Sequence, residues 1–93
     1  MKIIHIDVKI TGKVQGVGFR ETTKYVADQS GIKGFIRNEA DGSVYIEAEG
    51  GQWELDSFLE WCNDGPDRAK VENCEVSQSM EPKHFKDFVI LKK

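Results

Sequence analysis

A glycine-rich loop followed by an arginine is the part of this sequence best suited to chemistry. The loop, Gly12-Lys13-Val14-Gln15-Gly16-Val17-Gly18, lies between a predicted strand and a predicted helix, and Phe19 and Arg20 follow it. Glycine permits the positive φ at which consecutive N–H groups point toward one place, and a helix N-terminus adds free N–H groups. Arginine binds two phosphate oxygens at once and stays charged. The pattern predicts a cradle for a phosphate-sized anion, but a structural turn beside a solvated arginine has the same residue types.

Asn38 is the second candidate for chemistry, at the end of a predicted strand. Its carboxamide is neutral and has both donor and acceptor atoms, so it can orient a water molecule but is a poor general base. An asparagine beside a turn also commonly bonds its own backbone. The loop itself is neither a P-loop, because no Gly-Lys-Ser/Thr is present, nor a dinucleotide-binding fingerprint, because the glycine spacing differs.

The two segments together resemble the signatures of the acylphosphatase family. Residues 12–20 match G-x-V-Q-G-V-x-F-R at every fixed position, with Gly18 in a variable place. Residues 34–44 match G-[FYW]-x-x-N-x-x-x-G-x-V, and Gly50 supplies the downstream glycine. Gly65-Pro66 also resembles the family's stretch after the second helix, so the resemblance covers nearly the whole chain.

The resemblance implies a reaction and a set of roles. The expected substrate is an acyl phosphate, and the products are a carboxylate and inorganic phosphate. Inorganic phosphate is expected to bind the same site as product or inhibitor. This is an acylphosphatase activity, that of a hydrolase acting on an acid anhydride, and the family needs no metal or other cofactor. Arg20 is implied to bind and orient the phosphate, and Asn38 to hold the attacking water. The backbone amides implied to hold the phosphate are those of Gln15, Gly16, Val17, Gly18 and Phe19.

Hydrophobic periodicity predicts the order β-α-β-β-α-β with one further strand segment near the end. Two βαβ units of this kind predict an α+β, ferredoxin-like two-layer sandwich, with a mostly antiparallel sheet and both helices on one face. The cradle and Asn38 meet at one sheet edge only if the strands are suitably aligned, which the sequence leaves open. The predicted strands cover 4–11, 32–38, 43–49, 69–79 and 85–91, and the predicted helices 19–30 and 52–63.

Composition limits the remaining possibilities. A chain of 93 residues fits one domain, here 1–93, and is expected to be a monomer. Its net charge of −3 argues against broad nucleic-acid binding, and no apolar run is long enough to span a membrane. The alternating N-terminal residues do not form a signal peptide, so we expect a cytoplasmic location and no membrane partner.

Several other residues are expected to have ordinary structural roles. His5 and His84 are expected to be solvated, and Trp53, Trp61 and Tyr25 to pack at the rim of the core. Cys62 and Cys74 are expected to be free thiols in a reducing cytosol, although a disulfide between them stays open. Four basic residues either make the pocket region positive or form ordinary surface: Lys13, Lys24, Lys33 and Arg37.

The sequence gives weaker support to three other functions. A non-catalytic anion-binding module on the same fold would have the same loop, since the fold does not fix the function. A single-stranded RNA binder of the RRM type requires an aromatic strand motif for which Val44-Tyr45-Ile46 is a poor match. A small metal-carrying domain would require a CxxC, which is lacking.

Overall fold

The computed structural model describes residues 2–79 and 81–92 and confirms the predicted fold class; Met1, Met80 and Lys93 lie outside the described residues. The seven elements follow the predicted order, with a short fifth strand at the end. Their bounds are β1 (Ile4–Lys13), α1 (Phe19–Ser30), β2 (Lys33–Asn38), β3 (Val44–Gly50), α2 (Gln52–Asp64), β4 (Lys70–Ser79) and β5 (Phe88–Ile90).

The strand alignment answers the question that the sequence left open. The strand order is β4-β1-β3-β2-β5, with β3 antiparallel to both β1 and β2, and β5 parallel to β2. Strands β1 and β2 therefore run in the same direction on either side of β3. Ile10 of β1 and Asn38 of β2 both pair with Val44. The loop that follows β1 and the end of β2 consequently lie at the same end of the sheet.

The core lies between the helices and one face of the sheet. Alternate residues of β1 are buried there, because successive side chains of a strand point to opposite faces. Both helices bury residues in this same cluster, which places them on one face as predicted. The largest members are Ile6, Val8, Ile10, Phe19, Ile32, Ile36, Ile46, Leu55, Phe58 and Phe88.

The other face of the sheet is crossed by the chain between β4 and β5. These strands are at opposite edges, about 19 Å apart at ordinary strand spacing, so the connection passes over the central strands. We call residues 81–87 the crossing segment. The Phe85 ring lies 6.0 Å from the His5 ring and 5.8 Å from the Phe35 ring. The prediction that His5 is solvated is wrong, because this segment leaves His5 only 4% exposed.

Other details depart from the sequence predictions. The apolar pattern of the fourth predicted strand favours Val76 as an inward residue. In the structure Val76 is 46% exposed, because β4 is an edge strand in which no residue is buried. Trp53 and Tyr25 are exposed rather than at the core rim, whereas Trp61 packs against the core. The last strand is three residues long rather than seven.

Both cysteines are free thiols, and burial raises the pKa of the Cys62 thiol well above its usual range. Within residues 2–79 and 81–92, no helix is both long enough and apolar enough to cross a membrane.

Candidate active site

The loop between β1 and α1 is fixed by apolar side chains and shaped by glycines. Val14, Val17 and Phe19 are buried, and the exposed Gly16 and Gly18 alternate with them. Gly16 has φ of 73° and Gly18 has φ of 78°, in the left-handed region that glycine adopts without steric cost. A Cβ at either position would meet no atom within 4 Å, so the constraint is on the backbone and not on space.

The amides of this loop are available to a ligand. Gly18 is the N-cap of α1 and offers no side-chain cap, so the first N–H groups of the helix lack a side-chain acceptor. In the described part of the chain, no backbone carbonyl accepts from the amides of residues 15–19. A 12-residue helix beginning at Phe19 adds a positive dipole end at the same place. The local structure is suited to an anion.

The Gln15 side chain ties the loop to the β2–β3 turn. Its Nε2 donates to the carbonyl of Glu39 at 2.9 Å and to that of Ser43 at 2.8 Å. These two contacts place the loop beside the strand end that carries Asn38. The sequence interpretation used only the backbone amide of Gln15 and missed this role, because the partners are 24 and 28 residues away and no local pattern indicates them.

Arg20 and Asn38 line one open cleft of about 380 Å³. Arg20, in the first turn of α1, is in no ion pair among the residues that the structure describes. A half-buried guanidinium with no carboxylate partner is available to an anionic ligand. The other lining residues, which the sequence did not indicate, are Glu39, Ala40, Leu91 and Lys92.

Asn38 points toward the helix side of the sheet. It is two residues beyond the fully buried Ile36 in the same strand, so the two side chains share the face that α1 covers. The Oδ1 atom of Asn38 is buried and accepts no hydrogen bond in the described part of the chain. Buried polar atoms almost always have a partner, so this oxygen is suited to a water or ligand donor.

Charges around the cleft are partly paired. Arg37 Nε is 2.6 Å from Glu39 Oε2, and its guanidinium lies over the Tyr45 ring at 4.7 Å. Lys24 is held by Asp28 at 2.9 Å. Two of the four basic residues considered for a positive rim are therefore neutralised by neighbours. Lys92 reaches the cleft because the Leu91 amide donates to the Ile36 carbonyl and fixes the chain end beside β2.

Comparison with known proteins decides the family. The sequence model of the acylphosphatase family, described as "Acylphosphatase", matches residues 6–90. The chain belongs to the acylphosphatase family. It is 45% identical over 86 residues to an acylphosphatase of Lactiplantibacillus plantarum, a match that covers 91% of this chain and 94% of that protein. It is 44% identical over 93 residues to an acylphosphatase of Pyrobaculum aerophilum, covering 98% and 97%.

Solved structures agree with this membership. The crystal structure of acylphosphatase from Bacillus subtilis superposes with a TM-score of 0.94 at 34% identity, and the match covers 96% of this chain and 99% of that one. The acylphosphatase family is thus matched in sequence, in length and in fold. Membership makes the chain an enzyme of the acylphosphatase class, which hydrolyses acyl phosphates to a carboxylate and inorganic phosphate.

Proposed function

We propose that residues 15–19 and Arg20 hold the phosphoryl group of an acyl phosphate while Asn38 directs water onto its phosphorus. The observation that carries the proposal is that Arg20 and Asn38 line one cleft beside the loop, and that no group among the described residues donates to the Asn38 Oδ1. The proposal needs a cation that binds phosphate and a carboxamide that binds water, and these two groups come from different elements, α1 and β2.

The loop and Arg20 supply the electrostatic part of catalysis. Phosphoryl transfer spreads negative charge over the equatorial oxygens, and N–H groups fixed in advance stabilise that charge without reorganising. The left-handed glycines and the buried Val17 and Phe19 keep the N–H groups in place. Arg20 adds a full positive charge in the adjoining cleft.

Asn38 supplies the orientation of the nucleophile. A water molecule that donates to the buried Oδ1 keeps a lone pair free to attack phosphorus. Because the water is already in position, the attack no longer depends on a random encounter. The water oxygen forms the new P–O bond while the bond from phosphorus to the bridging oxygen breaks. The carboxylate leaves with that electron pair, so little acid catalysis is needed. A non-bridging phosphate oxygen takes the proton of the water.

The first test compares wild type with Arg20→Ala in a benzoyl phosphate assay containing EDTA. Wild type should release phosphate, and Arg20→Ala should lose kcat/KM by about 1,000-fold or more and lose affinity for inorganic phosphate. Arg68→Ala removes the same charge from an exposed position between α2 and β4 and should change neither value. Full activity in Arg20→Ala would contradict the phosphate-binding role.

The second test separates water positioning from phosphate binding. Asn38→Ala should lower kcat by about 100- to 1,000-fold and leave the affinity for inorganic phosphate nearly unchanged. Asn63→Ala, at an exposed position of α2, is the matched control. Retained turnover in Asn38→Ala would contradict the assigned role. Phosphate binding without any hydrolysis in wild type would instead favour a non-catalytic anion-binding module.

The broader setting of this activity is also part of the proposal. We place the enzyme in the cytoplasm as a single domain over 1–93 that acts as a monomer on a small acyl phosphate. The reaction itself needs no metal, and no nucleic acid or membrane takes part. The net charge of −3 disfavours a polyanion as partner, while the local Arg20 charge favours a small anion.

A further inference from the structure

A cluster of one histidine and three carboxylates lies on the sheet face that the crossing segment covers, away from the proposed active site. His5 comes from β1, and Glu47 and Glu49 come from β3. Their side chains are 5%, 10% and 3% exposed, whereas Asp7 is 44% exposed. The pairing register puts His5 opposite Glu49, five residues from the Ile10–Val44 pair. This is about 17 Å along the strand from the end that carries Asn38.

Both ring nitrogens of His5 face carboxylate oxygens. Nδ1 is 2.8 Å from Glu49 Oε2, and Nε2 is 2.9 Å from Asp7 Oδ1 and 3.4 Å from Glu47 Oε1. A neutral imidazole has one N–H, and the buried Glu49 is the partner that most needs it. An imidazolium would donate to both sides, but in the neutral form the Nε2 lone pair faces two oxygens that can only accept, and a bound cation then joins these three atoms.

From this geometry we propose a divalent transition-metal site, best suited to Zn²⁺, formed by His5 Nε2, Asp7 Oδ1 and Glu47 Oε1. The three atoms lie within 4.8 Å of one another. Zinc ligands at about 2.1 Å in tetrahedral geometry are about 3.4 Å apart, close to the separation of the His5 and Glu47 atoms. Imidazole with carboxylate is a ligand set that zinc accepts, and water completes the fourth position.

Neighbouring groups orient two of the three ligands, His5 and Glu47, as metal sites require. The contact between His5 Nδ1 and Glu49 is the carboxylate–histidine arrangement that fixes the tautomer and increases the basicity of the ligand nitrogen. The Tyr45 hydroxyl donates to Glu47 Oε2 at 2.7 Å, which leaves Oε1 for the ion. An open depression of about 230 Å³ is bordered by Asp7 and Tyr45, so Asp7 is the ligand on the solvent side of the site.

The Lys83 ammonium competes with the ion for the same oxygen. Its Nζ is 2.9 Å from Glu47 Oε1, and its side chain is 61% exposed, so it can swing into solvent at low cost. A histidine that ligates a metal is neutral, so in the bound state the three carboxylates outweigh this single ammonium by two charges, which a divalent ion balances. Because the backbone amide of Lys83, not its side chain, donates to Glu49, Lys83→Met removes the competitor and keeps that bond.

The test is calorimetric titration of chelator-treated protein with zinc chloride. Wild type should bind one equivalent and should melt at a higher temperature with zinc than without it. Asp7→Asn should weaken binding by about 100-fold or more, since even the partners of ligands typically contribute 10- to 100-fold. Lys83→Met should bind about threefold more tightly, since the exposed ammonium no longer competes for Glu47 Oε1.

The control removes the other histidine. Asparagine, like histidine, tolerates the φ of 61° at this position, so His84→Asn should leave the fold and the zinc affinity unchanged. Absence of stoichiometric binding by wild type, undiminished binding by Asp7→Asn, or loss of binding in His84→Asn would each overturn the site. Benzoyl phosphate turnover should be the same in all three variants, because none of these residues lines the Arg20 cleft.

Discussion

The carboxylate of Asp41 organises the turn that holds the proposed phosphate loop. Its Oδ1 accepts from the Ser43 hydroxyl at 2.5 Å and from the Ser43 amide at 2.9 Å, and Lys9 lies 3.2 Å from Oδ2. Ser43 also offers its carbonyl to Gln15. Ser43 therefore connects the Asp41 carboxylate with the Gln15 side chain that anchors the loop.

These bonds hold the pKa of Asp41 at about 2, below its ordinary value of 3.8, with the Ser43 hydroxyl as the largest cause. The stabilisation that this carboxylate gives the fold is therefore complete above about pH 4 and is lost as the pH falls through 2. Ser43→Ala should raise the pKa of Asp41 toward its ordinary value, as measured by NMR titration of the side-chain carboxyl. Lys9→Met should raise it less, and an unchanged pKa in Ser43→Ala would contradict the assignment.

At the scale of elements, strand pairing requires a glycine near the start of β2. Gly34 has φ of 145°, and a Cβ there would collide with the carbonyl of Glu47 in the neighbouring strand. The Gly34 amide also donates to Asp87 at 2.8 Å, so β2 is paired on both sides at this position. No movement of a flexible side chain can relieve this clash, because backbone is on the other side.

Gly34→Ala should therefore lower the free energy of unfolding by about 3 kcal/mol, from the clash and the strained φ together. Gly42→Ala is the matched control. Its φ is also positive, at 93°, but a Cβ would meet nothing within 4 Å, so the loss should be about 1 kcal/mol. Urea unfolding of both variants measures the difference. Equal losses would mean that the close approach of β2 to β3 is not limiting.

Local patterns in the sequence were enough to predict most elements. Helix α1 was predicted with its observed bounds, because helical spacing begins at Phe19 and Gly31 ends it with a left-handed φ. Val76 was placed wrongly because alternation indicates two faces but not whether anything covers them. The prediction for His5 is wrong for the opposite reason. A polar residue on a half-buried strand is expected in water, but the crossing segment, 80 residues further along the chain, covers it.

The same distinction applies to the candidate site. The glycine loop, Arg20 and Asn38 could be found from the sequence because each role depends on residue type and on its position in one short segment. That they share a cleft could not be found, since it depends on the register of β1 and β2 against β3. Leu91 and Lys92 join the cleft only because the last strand pairs with β2, which no local pattern indicates.

At the scale of the whole molecule, the crossing segment is needed because β4 and β5 occupy opposite edges of the sheet. Glu49 is its main anchor. Its Oε1 accepts from the Phe85 amide at 3.1 Å, and its Oε2 accepts from the Lys83 amide and lies 2.8 Å from His5 Nδ1. One buried carboxylate thus joins the segment to β3 and to β1.

Glu49→Ala should lower the free energy of unfolding by about 3 kcal/mol, because it leaves two amides and an imidazole without an acceptor. It should also free the segment locally, so that trypsin cleaves after Lys83 and Lys86 before other sites. Glu75→Ala, an exposed carboxylate of β4, should change neither property. Gly34→Ala, destabilised to a similar degree by a clash elsewhere, separates local release of the crossing segment from global unfolding. If it is cleaved after Lys83 and Lys86 as fast as Glu49→Ala, cleavage reports global unfolding and Glu49 is not a local anchor.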